Sequence, residues 1–116
     1  MNRLHVRVDE DGVDVTVALN ESQTATELLA ALPIESAAQT WGNEVYFTVP
    51  IEHDAQDPQA TVEVGAVGYW PPGAAVCLFF GQQPVSPVNL IGRIEGDPSA
   101  LAAVRDGHVV RLERTD

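Results

Sequence analysis

Lysine is absent from the sequence, and cysteine occurs only once among its 116 residues. A single cysteine cannot form an internal disulfide, and it excludes a cysteine-rich zinc module. No apolar run reaches the roughly 20 residues that a transmembrane helix needs. The first residues also lack the apolar stretch of a signal peptide. From these absences we expect a cytoplasmic protein.

Positive charge is scarce as well. All 6 basic residues are arginine, against 17 aspartates and glutamates, so the net charge is −11. Such a surface repels phosphate backbones and anionic lipid headgroups, which predicts that neither nucleic acid nor a membrane is a partner. Abundant carboxylate without lysine favours a protein adapted to high intracellular salt, where ions screen its self-repulsion. The alternative is an ordinary acidic protein.

The sequence also lacks the common signatures of catalysis and of cofactor binding. The three histidines, His5, His53 and His108, show no metal-ligand spacing. No phosphate-binding loop, nucleophile elbow or dinucleotide fingerprint is present. Cys77 lies in an apolar run, which indicates structural filler. The pattern therefore predicts no metal, no cofactor and no catalytic residue.

Short alternating or apolar segments dominate what is present. With 45% hydrophobic and 20% charged residues, the chain has the composition of a single globular domain, residues 1–116. Alternation predicts a β-hairpin over residues 3–19, with its turn at Gly12. A run that is apolar at every position, residues 75–80, is typical of a strand buried on both faces. Similar patterns predict further strands at residues 44–49, 61–64, 67–70, 88–95 and 109–114.

Two short helices interrupt this series of strands. The spacing of Thr24 and Glu27 is that of a capping box, and Pro33 ends the segment. Asp97 is placed as the N-cap of a second helix that Gly107 closes. About eight strands and two short helices indicate an all-β protein with a closed or nearly closed sheet, whose open ends the helices cap.

The stretch Gly65–Gly73 is the most informative for binding. It contains Tyr69 and Trp70, whose apolar rings carry a polar group and suit the wall of a groove. The alternative is that these rings fill one end of a barrel. Arg93 stands as an isolated cation in an apolar context, and it either pairs with a carboxylate of the chain or meets a polar group of a ligand.

Four blocks of sequence resemble a known family. In order along the chain they are WGNEVYFTVP (residues 41–50), VGYWPPG (67–73), CLFFG (77–81) and VNLIGRI (88–94). This order resembles the small prokaryotic cyclophilin-like proteins, single-domain relatives of the cyclophilin prolyl isomerases. The resemblance spans nearly the whole chain. It implies a closed cyclophilin-like β-barrel of about eight strands with two helical caps.

The resemblance also implies how the isomerase site is altered. By motif, the pocket phenylalanine of cyclophilins is matched by Phe80. The place of the catalytic arginine falls on Phe47, and that of the pocket histidine falls on Val88. Preorganised polar groups usually supply the largest catalytic contribution in such sites. The match thus implies a proline-type pocket that binds without accelerating isomerisation much.

The sequence therefore favours a non-catalytic barrel that binds a small molecule or a peptide. Its candidate binding residues are Tyr69, Trp70 and Phe80 as walls, Phe47 beneath them, and Arg93. A weak or specialised prolyl isomerase is the first alternative. A structural subunit, for example a homodimer, is the second.

The net charge generates a prediction about salt. The free energy of unfolding should rise from dilute buffer to about 1 M KCl, because the screening length there falls to about 3 Å. Urea unfolding at several KCl concentrations measures this. Sucrose, which does not screen charge, serves as the control. A free energy of unfolding that is unchanged or lower in KCl would contradict adaptation to salt.

Overall fold

A computed structural model describes residues 2–115 of the chain. It contains one α-helix, three short 3₁₀ segments and nine strands. The 3₁₀ segments are Asp9–Asp11, Pro71–Gly73 and Pro98–Ala103. The other elements are β1 (Arg3–Val8), β2 (Val13–Leu19), α1 (Gln23–Ala31), β3 (Ile34–Ala37), β4 (Gln39–Thr40), β5 (Glu44–Thr48), β6 (Ala66–Trp70), β7 (Ala75–Phe79), β8 (Asn89–Glu95) and β9 (Val109–Arg114). None of the helices in residues 2–115 has the length and apolar character to cross a membrane.

The predicted N-terminal hairpin is confirmed. β1 and β2 pair antiparallel, with Leu4 opposite Val17 and Val6 opposite Val15. These valines and leucines are buried, whereas the residues between them are partly or fully exposed. Gly12 follows the connecting 3₁₀ turn with φ of +66°, a conformation that side chains with a Cβ disfavour.

The two helical segments lie where the sequence places them, but their ends differ. Ser22, not Thr24, caps α1, since its hydroxyl accepts a hydrogen bond from the Ala25 amide. Asp97 does cap the second segment, through the amide of Ser99 at 2.9 Å. That segment is a 3₁₀ helix ending at Ala103 rather than at Gly107. Gly107 instead serves the turn before β9, with φ of +86°.

The strands form one nine-stranded sheet in the order β3-β9-β1-β2-β8-β6-β7-β5-β4. Only Ala38 separates β3 from β4, so the chain itself connects the two ends of the sheet. The result is the expected nearly closed barrel. β3 and β4 are strands that the sequence patterns missed, because they have only four and two residues.

Residues 61–64, predicted as a strand, form none. The Gln83 side chain explains this, since its amide oxygen accepts from the Val62 amide and its NH₂ donates to the Val62 carbonyl, both at 2.9 Å. A side chain thus occupies the backbone groups that a neighbouring strand would have paired. The β-branched residues there favour a strand, but they cannot reveal this competition.

The barrel interior holds the main apolar core. β7 is buried at all five positions, as its continuous apolar run predicts. Val76 and Leu78 belong to the main core, and Cys77 and Phe79 belong to a second cluster. The largest fully buried side chains are Tyr69, Phe47, Phe79, Leu4, Leu28, Leu78, Ile91, Leu101 and Leu112.

Side chains of the sheet hold the long segment between β5 and β6. The Tyr69 hydroxyl donates to the Ile51 carbonyl at 2.9 Å and accepts from the His53 amide at 3.1 Å. The buried Asn89 amide accepts from the Gln56 backbone and donates to the carbonyl of Asp54. These bonds satisfy buried polar groups and fix a segment that has little regular structure.

The close approach of β2 and β8 generates a second prediction. A Cβ added at Gly92 would collide with the backbone carbonyl of Ala18 and lie 3.2 Å from the Cα of Leu19. We expect Gly92→Ala to lower the free energy of unfolding by about 3 kcal/mol, because backbone cannot move aside cheaply. Urea unfolding measures the loss.

Gly12→Ala is the matched control for this substitution. Nothing lies within 4 Å of a Cβ at Gly12, so the only cost there is the positive φ, about 1 kcal/mol. Equal losses for the two variants would show that β2 and β8 are free to separate.

Candidate functional site

A cavity of 270 Å³ lies on the outer face of the sheet, across β5, β7 and β6. Residues of the loop 81–88 and of the turn before β5 complete its walls. We call it the outer pocket, and its lining residues are Trp41, Glu44, Tyr46, Trp70, Cys77, Phe79, Pro84, Val85, Ser86 and Val88. Its lining is mostly apolar, with a few polar groups, as in sites for small organic ligands.

Close packing around Gly68 forms the floor of the outer pocket. A Cβ at this position would lie 2.7 Å from Cγ2 of Val88 and 3.4 Å from Cε2 of Phe79. Because Gly68 has none, these two side chains meet over β6. They join Ala66 and Cys77 in the apolar cluster on this face.

The wall contributed by Trp70 is fixed from two sides. Gly73, at the end of the Pro-Pro-Gly segment, packs against the indole so closely that a Cβ there would lie 2.6 Å from Cζ3. The indole Nε1–H donates to the Ser86 hydroxyl at 2.6 Å. Trp70 therefore presents an apolar surface to the pocket, since its only donor is already used. Because Ser86 belongs to the loop 81–88, the same hydrogen bond holds this loop against Trp70.

Trp41 and Val85 form an exposed rim. Trp41 is 47% exposed and Val85 is 67% exposed, high values for large apolar side chains. The Trp41 amide donates to the Glu44 carbonyl at 3.0 Å, which closes a tight turn with Gly42 at φ of +58°. This turn brings the second indole of the chain to the mouth of the pocket.

Glu44 is the one acidic residue among the described lining residues. Its side chain is buried, at 6% exposure, and lies opposite Phe79 in the β5–β7 pair. Burial raises the pKa of Glu44 above its ordinary value, and a hydrogen bond with the Cys77 thiol opposes this rise. Burial and the nearby Glu44 also raise the pKa of Cys77, so the thiol stays protonated and unreactive.

The structure separates the binding residues that the sequence grouped together. Phe47 and Tyr69 are fully buried and belong to the core inside the barrel, and Phe80 packs against that core. Of the five candidates, Trp70 alone lines the outer pocket. Arg93 is exposed at a second, more open cavity of 660 Å³, and within residues 2–115 it forms no ion pair.

Strand alternation is the physical reason for this separation. Neighbouring residues of a strand point to opposite faces, so Tyr69 faces inward where Trp70 faces outward. Likewise, Phe47 is inward, whereas Glu44 and Tyr46 lie on the other face of β5. The matched position of the cyclophilin arginine, Phe47, is thus inside the barrel. That of the histidine, Val88, is on the pocket floor.

Sequence reasoning missed Glu44 and Tyr46 as site residues. The sequence did contain one signal for them. Glu44 and Tyr46 are two residues apart in a predicted strand, and such residues share a face. Trp41 and the loop 81–88 carried no such signal, because turns and loops have no fixed period. Their positions depend on hydrogen bonds between distant residues.

The buried carboxyl of Glu44 generates a third prediction. The raised pKa means that the folded state holds the proton more tightly than the unfolded state does. The stability that this tighter proton binding adds is fully present below the pKa of Glu44 in the unfolded state. It is lost as the pH rises through the pKa of Glu44 in the folded state. Glu44→Gln should therefore raise the free energy of unfolding at neutral pH, by about 1 kcal/mol, since the amide carries no charge to desolvate.

Urea unfolding at pH 4 and pH 7 tests this. The gain in the free energy of unfolding should shrink at pH 4, where Glu44 is largely protonated in both states. Glu63→Gln, which removes an exposed carboxylate of the second cavity, is the control for the change in net charge. A loss of stability in Glu44→Gln at neutral pH would contradict the prediction.

Comparison with known proteins identifies the family. The sequence pattern of the family described as "Cyclophilin-like" matches residues 2–113. The solution structure of the hypothetical protein AF2241 from Archaeoglobus fulgidus is 37% identical, with a TM-score of 0.84, and the match covers 98% of this chain and 95% of that one.

A more distant likeness concerns the fold alone. McbB, whose structure was solved in complex with tryptophan, is 18% identical with a TM-score of 0.80. That match covers 97% of this chain and 44% of McbB. No protein with a curated description matches. The family pattern and the relative from Archaeoglobus fulgidus together show that this chain belongs to the cyclophilin-like family.

Proposed function

We propose that this protein is a binding barrel that holds a small, largely apolar molecule in the outer pocket. The observation that carries the proposal is the construction of the pocket. Its floor and one wall are closely packed, and its rim exposes Trp41 and Val85. An apolar surface exposed in this way is costly in water, and a ligand would cover it.

The size of the cavity supports a small molecule over a folded partner. At 270 Å³ it lies just below the usual range of roughly 300–1,000 Å³ for ligand sites, so it suits a single aromatic ring with a short substituent. McbB, which shares the fold at 18% identity, was solved in complex with tryptophan. This likeness concerns the fold alone, so the proposal rests on the cavity of this chain.

Prolyl isomerisation is the less favoured function. Among the described lining residues there is neither arginine nor histidine, and the position matched to the catalytic arginine is the buried Phe47. A twisted amide in this pocket would meet no strong donor of the kind that stabilises developing charge.

The position of the two tryptophans provides a direct assay and a fourth prediction. The chain contains 2 tryptophans, and both line the outer pocket. Binding there should change the tryptophan emission, whereas binding at the second cavity should not. We expect 2-phenylethanol, a neutral aromatic probe, to bind with such a change. Trp70→Ala should weaken its affinity about tenfold, since an aromatic wall is lost.

Ligand-observed NMR measures the same affinities without depending on tryptophan. Leu90→Ala, which removes an exposed side chain at the second cavity, is the matched control and should bind the probe as the native protein does. Unchanged affinity in Trp70→Ala would contradict the proposed site. Catalysed exchange of Xaa-Pro peptides in concentrated KCl would instead support an isomerase.

A further inference from the structure

We infer that the ligand of the outer pocket is a small organic amine, whose protonated nitrogen pairs with the carboxylate of Glu44. This inference rests on the proposed binding function and adds the chemical class of the ligand. Glu44 is an acidic side chain placed inside an apolar pocket of ligand size. Carboxylates are rarely buried unless a partner compensates their charge.

No such partner is supplied by the described part of the chain. In residues 2–115, the carboxylate of Glu44 takes part in no ion pair, and the one side chain that faces it as a donor is the thiol of Cys77. A thiol is a weak donor, so it compensates a carboxylate poorly. A protonated amine would supply both the opposite charge and strong donors.

The aromatic lining agrees with a cationic ligand. Trp41, Tyr46 and Trp70 surround the same cavity as Glu44. The face of an aromatic ring attracts an ammonium group, and the attraction is stronger where the site excludes water. One carboxylate among several aromatic rings therefore suits a nitrogen cation attached to an apolar body.

The charge of the whole chain acts in the same direction. No arginine occurs between Arg7 and Arg93, and the chain has no lysine. All residues of the outer pocket come from this stretch. At low ionic strength the net charge of −11 adds a long-range attraction for cations. A cationic ligand is then favoured on approach as well as in the bound state.

Three probes of similar shape separate charge from apolar contact. They are 2-phenylethylamine as the cation, 2-phenylethanol as the neutral analogue and 3-phenylpropionate as the anion. The native protein should bind the amine about tenfold more tightly than the alcohol, as one charge-assisted bond allows, and the anion weakest. Tryptophan emission and ligand-observed NMR give the affinities.

Glu44→Gln is the decisive variant, because it keeps the shape of the side chain and removes its charge. We expect the preference for the amine over the alcohol to fall to about parity, while the alcohol still binds. Glu63→Gln changes the net charge equally but lies at the second cavity, and it should keep the preference. If both variants lose the preference equally, the preference comes from the overall charge, and the inference is overturned.

The pH dependence is a further readout. The pKa of Glu44 is raised, so lowering the pH towards that value should protonate the carboxyl and weaken binding of the amine. Cys77 and Tyr46 are the other titratable groups that face it within the described pocket. In Glu44→Gln the affinity for the amine should no longer fall on acidification.

The remaining outcomes distinguish this inference from the proposed function. If the alcohol binds as tightly as the amine to the native protein, the pocket is a binding site and the inference is wrong. If none of the three probes binds, both the proposed function and this inference are wrong. If a blocked lysine, Nα-acetyl-lysine N-methylamide, binds more tightly than 2-phenylethylamine, the occupant is a peptide side chain and the assignment to a small amine is overturned.

Discussion

The double burial of β7 is the constraint on which the rest of this structure depends. Its inward residues, Val76 and Leu78, complete the barrel core, and its outward residues, Cys77 and Phe79, are equally apolar. A strand of this kind leaves an apolar face outside the barrel that water would contact unfavourably. The loop 81–88 covers part of that face.

The outer pocket is the part of this face that remains uncovered. The hydrogen bond from Trp70 to Ser86 holds the loop 81–88 on one side of the pocket. The turn at Trp41 forms the other side. Gly68 lets Val88 and Phe79 meet beneath. These three local features, two of them hydrogen-bonded and one a close packing contact, together leave a cavity between two covering segments. The pocket therefore follows from how the sheet is covered, and not from a gap in the core.

The sequence was sufficient for the fold but insufficient for the site. The hairpin over residues 3–19 and the doubly buried β7 follow from periodicity, which acts between close neighbours. The family resemblance, which the comparisons confirm, supplies the closure of the sheet. Residues 61–64 do not form a strand, because Gln83 takes their backbone hydrogen bonds. That contact joins distant positions, and no local pattern contains it.

The site residues show a different limit. The alternation of side chains along a strand predicts that Tyr69 and Trp70 face opposite sides of the sheet. In a segment that is apolar on both sides, it does not predict which side is the interior. Placing Phe47, Tyr69 and Trp70 in one groove therefore joined residues from opposite faces of the sheet. The pairing of β5, β6 and β7 decides the question, since it puts Glu44 opposite Phe79 and Tyr46 opposite Cys77, on the face that carries Trp70.

The position of Glu44 connects stability with function. A glutamine or an apolar residue at that place would avoid the cost of burying a charge. The arginine ion pairs in residues 2–115 lie elsewhere, on β1, β3, β8, β9 and the 3₁₀ segment Asp9–Asp11, for example Arg3 with Glu95 and Arg111 with Glu35. Within residues 2–115 the arginines therefore lie away from the pocket, and Glu44, the most buried acidic residue described, pairs with none of them. Groups that cost stability in this way are concentrated at functional sites, and this is the physical basis of the role proposed for Glu44.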